Sequence, residues 1–251
     1  MPQISAIIPI RNRSGQRLEN CVRSLRWQAP VDAADLEIVL SDFGSTPEHL
    51  ASVHDIADRY GARVVAVTTD AVWNRSRALN IGIQGATGRL CFCTDADMIF
   101  APNFVHQLLT QEAAHRAGDG ALVVAPCFDL PDGVATANLT AADFPRLRAA
   151  AALRETNGTG ACQVATRAFF EAIRGYDEGF KYWGGEDDDL AFRAATFGLT
   201  RVSIGTDAAM LHQWHPTMKN DRPVQRKLNT WRLKLTRHRV IKNPNGWGQR
   251  P

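Results

Sequence analysis

The chain has 251 residues, 45% of them hydrophobic and 22% charged, a globular composition long enough to bury a full core, which excludes disordered and fibrous classes. Its 19 Gly and 12 Pro follow no period, and no apolar run approaches the roughly 18 residues of a membrane span. The net charge of +3 is uneven: residues 219–251 carry ten Lys or Arg and one acid, +9, against −6 for the rest.

The N-terminus, MPQISAIIPIRNR, puts its apolar run before its basic residues, the reverse of a signal peptide, so a cytoplasmic protein is expected. The five cysteines form no CxxC pair and are expected to be buried small residues.

The first hundred residues alternate short apolar runs with helical patterns, the mark of βαβ units. Residues 4–10 read as a buried strand, Leu18, Val22 and Leu25 recur at helical spacing, and a strand over 36–40 ends in the turn-like SDFGSTP, leaving Asp42 at a strand's carboxyl end. A helix through His54 and Ala57, a strand over 63–67, a helix over 74–85 and a strand over 90–94 continue the alternation. Beyond residue 100 the pattern loosens: a helix over 102–117, a strand over 122–126, a Pro/Gly/Ala-rich stretch to 143, then more helix. A strand over 161–166, a helix over 167–173, the segment KYWGGEDDD, a helix over 190–197 and short closing strands at 202–204 and 209–211 follow. The fold class predicted is α/β, a Rossmann-like, mainly parallel central sheet flanked by helices, whose ligands bind at the carboxyl ends of the strands. In the basic amphipathic tail, 219–251, Val224, Leu228, Trp231 and Leu235 form one stripe of a helix, and the stripe is expected to dock on the body. The tail's charge fits nucleic acid, an anionic membrane surface or a solvated face; with no nucleic-acid motif present, no nucleic-acid partner is expected.

Three constellations can carry chemistry. Asp95-Ala96-Asp97 follows the apolar LCFCT, and two carboxylates one residue apart at a strand end can converge on a hard divalent cation, although such a triplet also fits a solvated turn. In Trp183-Gly184-Gly185-Glu186-Asp187-Asp188-Asp189, two glycines allow close backbone approach to a ligand. Four successive acids exceed what capping the helix after them requires. His212 and His215 lie two residues apart in an apolar, aromatic setting, either able to complete a metal shell.

The set IIPIRNR, SDFGST, WNRSRALNIGI, CTDADM, GTGA, GYDEGFKYWGGEDDDLAFR and LHQWHP resembles the GT-A-fold nucleotide-sugar glycosyltransferases. It is most similar to a bacterial family 2 enzyme with a β-1,4-galactosyltransferase-like C-terminal half. The resemblance implies a catalytic domain over 1–218, nucleotide-binding over 1–98 and acceptor-side over 99–218 with a small antiparallel portion, followed by the basic tail. It implies that Pro9, Arg11 and Arg13 border the nucleotide, with Asp42 near uracil and ribose and Arg75 and Arg77 near the diphosphate. Asn80 would keep the local turn. Asp95 would face the ribose and donor sugar, and Asp97 would bind Mn²⁺ (or Mg²⁺) together with His212 or His215, the context favouring His212. Gly160 would lie beside the donor sugar, Trp183, Gly184, Gly185 and Glu186 would wall donor from acceptor, and Asp187 would be the general base. SDFGS in place of the usual DDGS, and FKYWGGEDDD in place of WGWGGEDDD, are departures that bear on the nucleotide pocket and on acceptor identity.

The activity implied is metal-dependent, inverting transfer of a hexose or N-acetylhexosamine from UDP-Gal, UDP-GalNAc or UDP-Glc to a hydroxyl of a saccharide or lipid-linked acceptor. A metal would neutralise charge on the leaving diphosphate and an aspartate would take the acceptor proton. Competing readings are a sugar-phosphate nucleotidyltransferase, disfavoured because only Gly15 follows the first strand where a Gly-rich loop is needed, and a non-catalytic carbohydrate- or nucleotide-binding module. The basic tail is expected to associate weakly with anionic membranes, at the inner face of the cell membrane.

Overall fold

The computed structural model describes residues 1–155, 159–182, 184–216 and 222–250. Its strands are β1 (Ile4–Ile10), β2 (Leu36–Phe43), β3 (Arg63–Val67), β4 (Leu90–Cys93), β5 (Met98–Phe100), β6 (Ala121–Val124), β7 (Cys127–Asp129), β8 (Ala152–Leu153), β9 (Gln163–Thr166), β10 (Thr200–Ser203) and β11 (Met210–His212). Its α-helices are α1 (Gln16–Arg26), α2 (Pro47–Tyr60), α3 (Arg75–Gly85), α4 (Phe104–His115), α5 (Phe144–Ala150), α6 (Arg167–Ile173), α7 (Glu186–Phe197) and α8 (Pro223–Thr236). The main sheet has the order β10-β6-β9-β4-β1-β2-β3. All its pairs are parallel except those of β9, which runs antiparallel to both neighbours.

Every residue of β1 is buried because helices cover both faces of the sheet, as a parallel sheet requires. Ile4, Ala6, Ile8 and Ile10 pack with α1, α2 and α4 on one face, while Ile7 points into a second core shared with α3, α6 and α7. Local signals set the helix ends. Pro47 opens α2 and Gly61, at φ 61°, closes it. The Asn74 side chain accepts from the Arg77 backbone N–H at the start of α3. All five cysteines are unpaired and buried, as the sequence implied.

Several boundaries differ from the sequence reading. Met98–Phe100 and Cys127–Asp129, too short to show a periodicity, form strands of a second sheet ordered β5-β11-β7-β8. That sheet is mixed rather than antiparallel, since β11 and β7 run parallel. Helix α7 begins at Glu186, not near 190: Gly185 at φ 94° ends the loop, and the acids fall in the first turn, where the helix dipole favours negative charge.

The tail overturns the docking expectation. Val224, Leu228, Trp231 and Leu235 are 70, 57, 68 and 66% exposed, and α8 sits on the body through the neighbouring polar stripe. The reason is a polar seat. Arg232 forks onto the buried Asp177 at 2.9 and 2.6 Å, and Asn229 donates to the Lys181 carbonyl at 2.9 Å. After α8 the chain returns to the body, where Lys242 is buried against Asp177 and Asp189 and Trp247 packs on the second core.

Candidate active site

The turn after β4 is anchored at its start by Thr94, whose hydroxyl donates to the Ala161 carbonyl at 2.7 Å, and at its end by the Asp97 carbonyl, which accepts from Gln213 N–H at 2.9 Å. That second bond continues the antiparallel pairing of β5 with β11, in which His212 lies opposite Met98. Sheet register therefore carries His212 to Asp97, and the segment that leaves β11 brings His215 to the same carboxylate. His215 Nε2 is 3.2 Å and His212 Nε2 4.0 Å from Asp97 Oδ2, and the three ligand atoms lie within 4.8 Å of one another. Arg13 approaches the same carboxylate at 3.8 Å.

The other nitrogen of each ring is held. His212 Nδ1 is 3.0 Å from Asp129 Oδ1, its register partner across β7 and β11, and His215 Nδ1 is 3.0 Å from the Pro216 carbonyl. A carboxylate or carbonyl at one imidazole nitrogen, with the other aimed at a common point, is the usual outer shell of a metal-binding histidine. One carboxylate oxygen and two imidazole nitrogens fit a borderline transition ion such as Mn²⁺ better than Mg²⁺, which prefers an all-oxygen shell. Burial opposes ionisation of Asp97, but the hydrogen bond from His215 and the nearby His212 and Arg13 outweigh it and hold the carboxyl below its ordinary range. The bond to Asp97 raises His215, whereas burial lowers His212.

A second group of side chains centres on Arg75, in the first turn of α3. Its Nε and Nη2 donate to Asp95 Oδ1 at 2.9 and 2.8 Å, Nη2 also donates to the Gly160 carbonyl at 2.7 Å, and Nη1 lies 3.5 Å from Glu186 Oε1. Among the described residues, Glu186 Oε2 and Arg75 Nη1 are buried without a hydrogen-bond partner. Burial, reinforced by Asp187 and only partly offset by Arg75, pushes the Glu186 carboxyl up to about 7. Asp187 lies against Gly160 so closely that a Cβ there would be 2.7 Å from its Oδ2, and its carbonyl accepts from Gln163 Nε2 at 3.0 Å. Tyr182, Gly184 and Gly185 all have positive φ, at 62, 100 and 94°, turning the chain sharply into α7.

Thus Asp97, His212 and His215 form one group with Arg13 alongside, Asp95, Gly160 and Glu186 form a second around Arg75, and Asp187 abuts Gly160; the two groups adjoin where Asp95 and Asp97 share the turn after β4. Other expected site residues are engaged elsewhere. Arg11 donates to the Ala71 carbonyl at 2.5 Å. Asp42 is buried with both carboxylate oxygens occupied by Ser45, at its backbone N–H and its hydroxyl. Pro9 lies within β1 opposite Ser41. Arg77 turns away from the carboxylates: its Nη2 donates to the Gln249 carbonyl at 3.0 Å and its guanidinium lies over Phe43. Trp183 is outside the described residues. Asn80 does brace a turn, donating to the Tyr176 carbonyl and accepting from the Tyr176 N–H.

Three residues of the site escaped the sequence reading. Asp129 sits in a three-residue strand whose only cue is an acid following two apolar residues. Gln213 and Asn20 are ordinary polar residues on paper, yet they hydrogen-bond to each other at 2.8 Å, buried, and lock the histidine segment to α1.

The family model described as glycosyl transferase family 2 matches residues 5–174, and the chain belongs to that family. A second model, described as the N-terminal domain of galactosyltransferase, matches residues 151–214, the stretch holding Gly160, Glu186, Asp187 and His212. Validoxylamine A glucosyltransferase of Streptomyces hygroscopicus subsp. jinggangensis is 26% identical over 241 residues, covering 83% of this chain and 56% of its own length. The structure of GalNAc-T7 with UDP, GalNAc and Mn²⁺ superposes with a TM-score of 0.67 at 19% identity, over 92% of this chain and 48% of that one. The mannosyltransferase PcManGT of Pyrobaculum calidifontis, with GDP-Man and Mn²⁺, gives 0.63 at 18% identity, over 97% and 66%. The chain spans between a third and a little over half the length of its first curated relatives. The fold is the GT-A type of these neighbours, a mainly parallel sheet with helices on both faces.

Proposed function

We propose that the chain is a metal-dependent, inverting glycosyltransferase that moves a hexose or N-acetylhexosamine from a UDP-sugar to a hydroxyl of a saccharide or other acceptor. The observation that carries the reading is the convergence of Asp97, His212 and His215 beside a carboxylate group that two arginines do not neutralise. Asp97 and the two histidines would hold Mn²⁺, which when bound supplies positive charge against the diphosphate leaving group. Relatives named for UDP, GalNAc, glucose and Mn²⁺ support the donor class.

The remaining work falls to the chain. Arg75 fixes Asp95 and the Gly160 carbonyl in one geometry, which orients the donor side of the pocket. Gly160 leaves room where any side chain would press on Asp187. Asp187, in the first turn of α7, takes the acceptor's hydroxyl proton. The freed oxygen forms its bond to the anomeric carbon as the bond from that carbon to the diphosphate oxygen breaks, and UDP departs with the electron pair. One base opposite the leaving group gives in-line attack and inversion, hence a β-linkage from an α-linked donor. The domain limits, 1–218 for catalysis with a tail beyond, belong to this reading.

Thermal unfolding with UDP and UDP-sugars, each with and without Mn²⁺, tests it. A nucleotide at about 100 times its Kd adds roughly 2.7 kcal/mol. The shift is expected only when metal is present, and Asp97→Ala is expected to abolish its metal-dependent part. Metal-independent stabilisation, or an Asp97→Ala protein that keeps the full metal effect, would overturn the assignment.

A further inference from the structure

We propose that α8 is a docking element for an anionic phospholipid surface, built by turning the apolar stripe of an amphipathic helix away from its own protein. Surface helices ordinarily bury their apolar stripe. Here the polar stripe is the inner one: Asn229 is buried and Arg232 is committed to Asp177. Val224, Leu228, Trp231 and Leu235, at 4-3-4 spacing one position removed around the helix, are each more than half exposed. The helix is thus fastened to the body through the fork of Arg232 onto the buried Asp177 and the hydrogen bond from Asn229 to the Lys181 carbonyl, which leave its apolar residues outside.

Charge identifies the occupant. Lys227 and Lys234 immediately precede Leu228 and Leu235, so they flank the stripe on the side away from the docked face. Arg226, Arg237 and Arg239 are also exposed on or just after the helix, and α8 carries no acid. Leu and Trp side chains beside lysines are the composition of a helix lying in the interface of an anionic bilayer, the apolar residues entering the acyl boundary and the cations meeting headgroups. A second copy of the chain would bring two such cationic faces together, which is electrostatically unfavourable. No described helix is long and apolar enough to cross a membrane; the contact proposed is one that α8 makes from the surface. It would hold the enzyme at a surface where lipid-linked acceptors reside.

The test is co-sedimentation of the full chain with vesicles of phosphatidylglycerol and phosphatidylcholine against vesicles of phosphatidylcholine alone, read without donor or acceptor so that it is independent of sugar transfer. The expected result is binding to the anionic vesicles that weakens about fivefold for each of Lys227→Gln and Lys234→Gln and on the order of tenfold for Leu228→Ser/Trp231→Ser. Because these side chains are exposed, the variants should unfold at the parent temperature. Absence of binding to anionic vesicles, or binding unchanged in Leu228→Ser/Trp231→Ser, overturns the proposal. So does a concentration-dependent dimer that the same double substitution dissolves, which would assign the stripe to a second copy.

Discussion

The first turn of α7 feeds two charge clusters, one largely buried and one half-buried, and they are built on opposite terms. Asp189 joins Asp177, Arg193, Arg232 and Lys242: Arg193 donates to Asp189 at 2.7 Å, Lys242 reaches both acids at 3.1 and 3.3 Å, and Arg232 forks onto Asp177. Two acids meet three cations, and the cluster staples the tail to the body. Three residues earlier in the chain, Glu186 and Asp187 join Asp95 and Asp97, four acids with only Arg75 and Arg13 among them and two histidines alongside. Burying an ion pair contributes little net stability and burying excess charge costs more. A cluster with acids left over is therefore retained for what it binds, and one whose every acid is paired for what it holds together.

If that distinction is right, one-atom changes in the two clusters should have different consequences. The largest effect expected is at Asp187. Replacing it with Asn keeps the shape and removes the base, so transfer should fall by about 10²- to 10⁴-fold, while the unfolding temperature and the Mn²⁺-dependent UDP shift stay near parent values. Initial rates decide it: a variant within a few-fold of the parent would show that Asp187 is not the base.

Asp177→Asn reverses the pattern. It strands Arg232 and Lys242 around a neutral amide, and breaking a buried ion network of this kind costs roughly 3–5 kcal/mol, measurable by urea unfolding. Donor affinity of the folded fraction should be unaltered. A loss below about 1 kcal/mol would mean that the tail is held by something other than its charges.

This division was only half legible in the sequence. The strands of the main sheet and the DxD turn were readable because β1 to β4 and α1 to α3 repeat one pattern, each element long enough to display its period. The acid run at 186–189 was recognisable as excess charge. Its split was not, because Asp189 owes its role to Lys242, 53 residues away, and to Arg193 one helical turn on. Asp129 was hidden for a related reason: it acquires meaning only when β7 and β11 pair and set it opposite His212. Arg77 could not be told from Arg75 on paper. It lies two residues from Arg75 on α3, which puts the two on different sides of the helix, so only one of them reaches the carboxylates. The tail showed its amphipathic stripe, yet not which face would be inward, since that depends on the polar seat Asp177 provides.

The smallest expected effect is also the sharpest discriminator. Glu186 is 5% exposed, and burial, aided by Asp187, raises its carboxyl to about 7 from an ordinary value of 4.5. A raised value means that the folded protein binds this proton more tightly than the unfolded chain does. The associated stability is complete below about pH 4.5 and is lost as pH rises through 7. Glu186→Gln cannot ionise, so relative to the parent it should be near neutral around pH 5 and more stable by roughly 1–3 kcal/mol at pH 8. The difference in unfolding temperature between the two proteins, followed across that range, isolates this group because other titrations cancel. Deleting an acid would then stabilise the protein on one side of α7's first turn and destabilise it on the other. If Glu186→Gln is instead less stable than the parent at pH 8, the contact with Arg75 is acting as a structural ion pair, and the contrast between the clusters fails at the residue where it is drawn most finely.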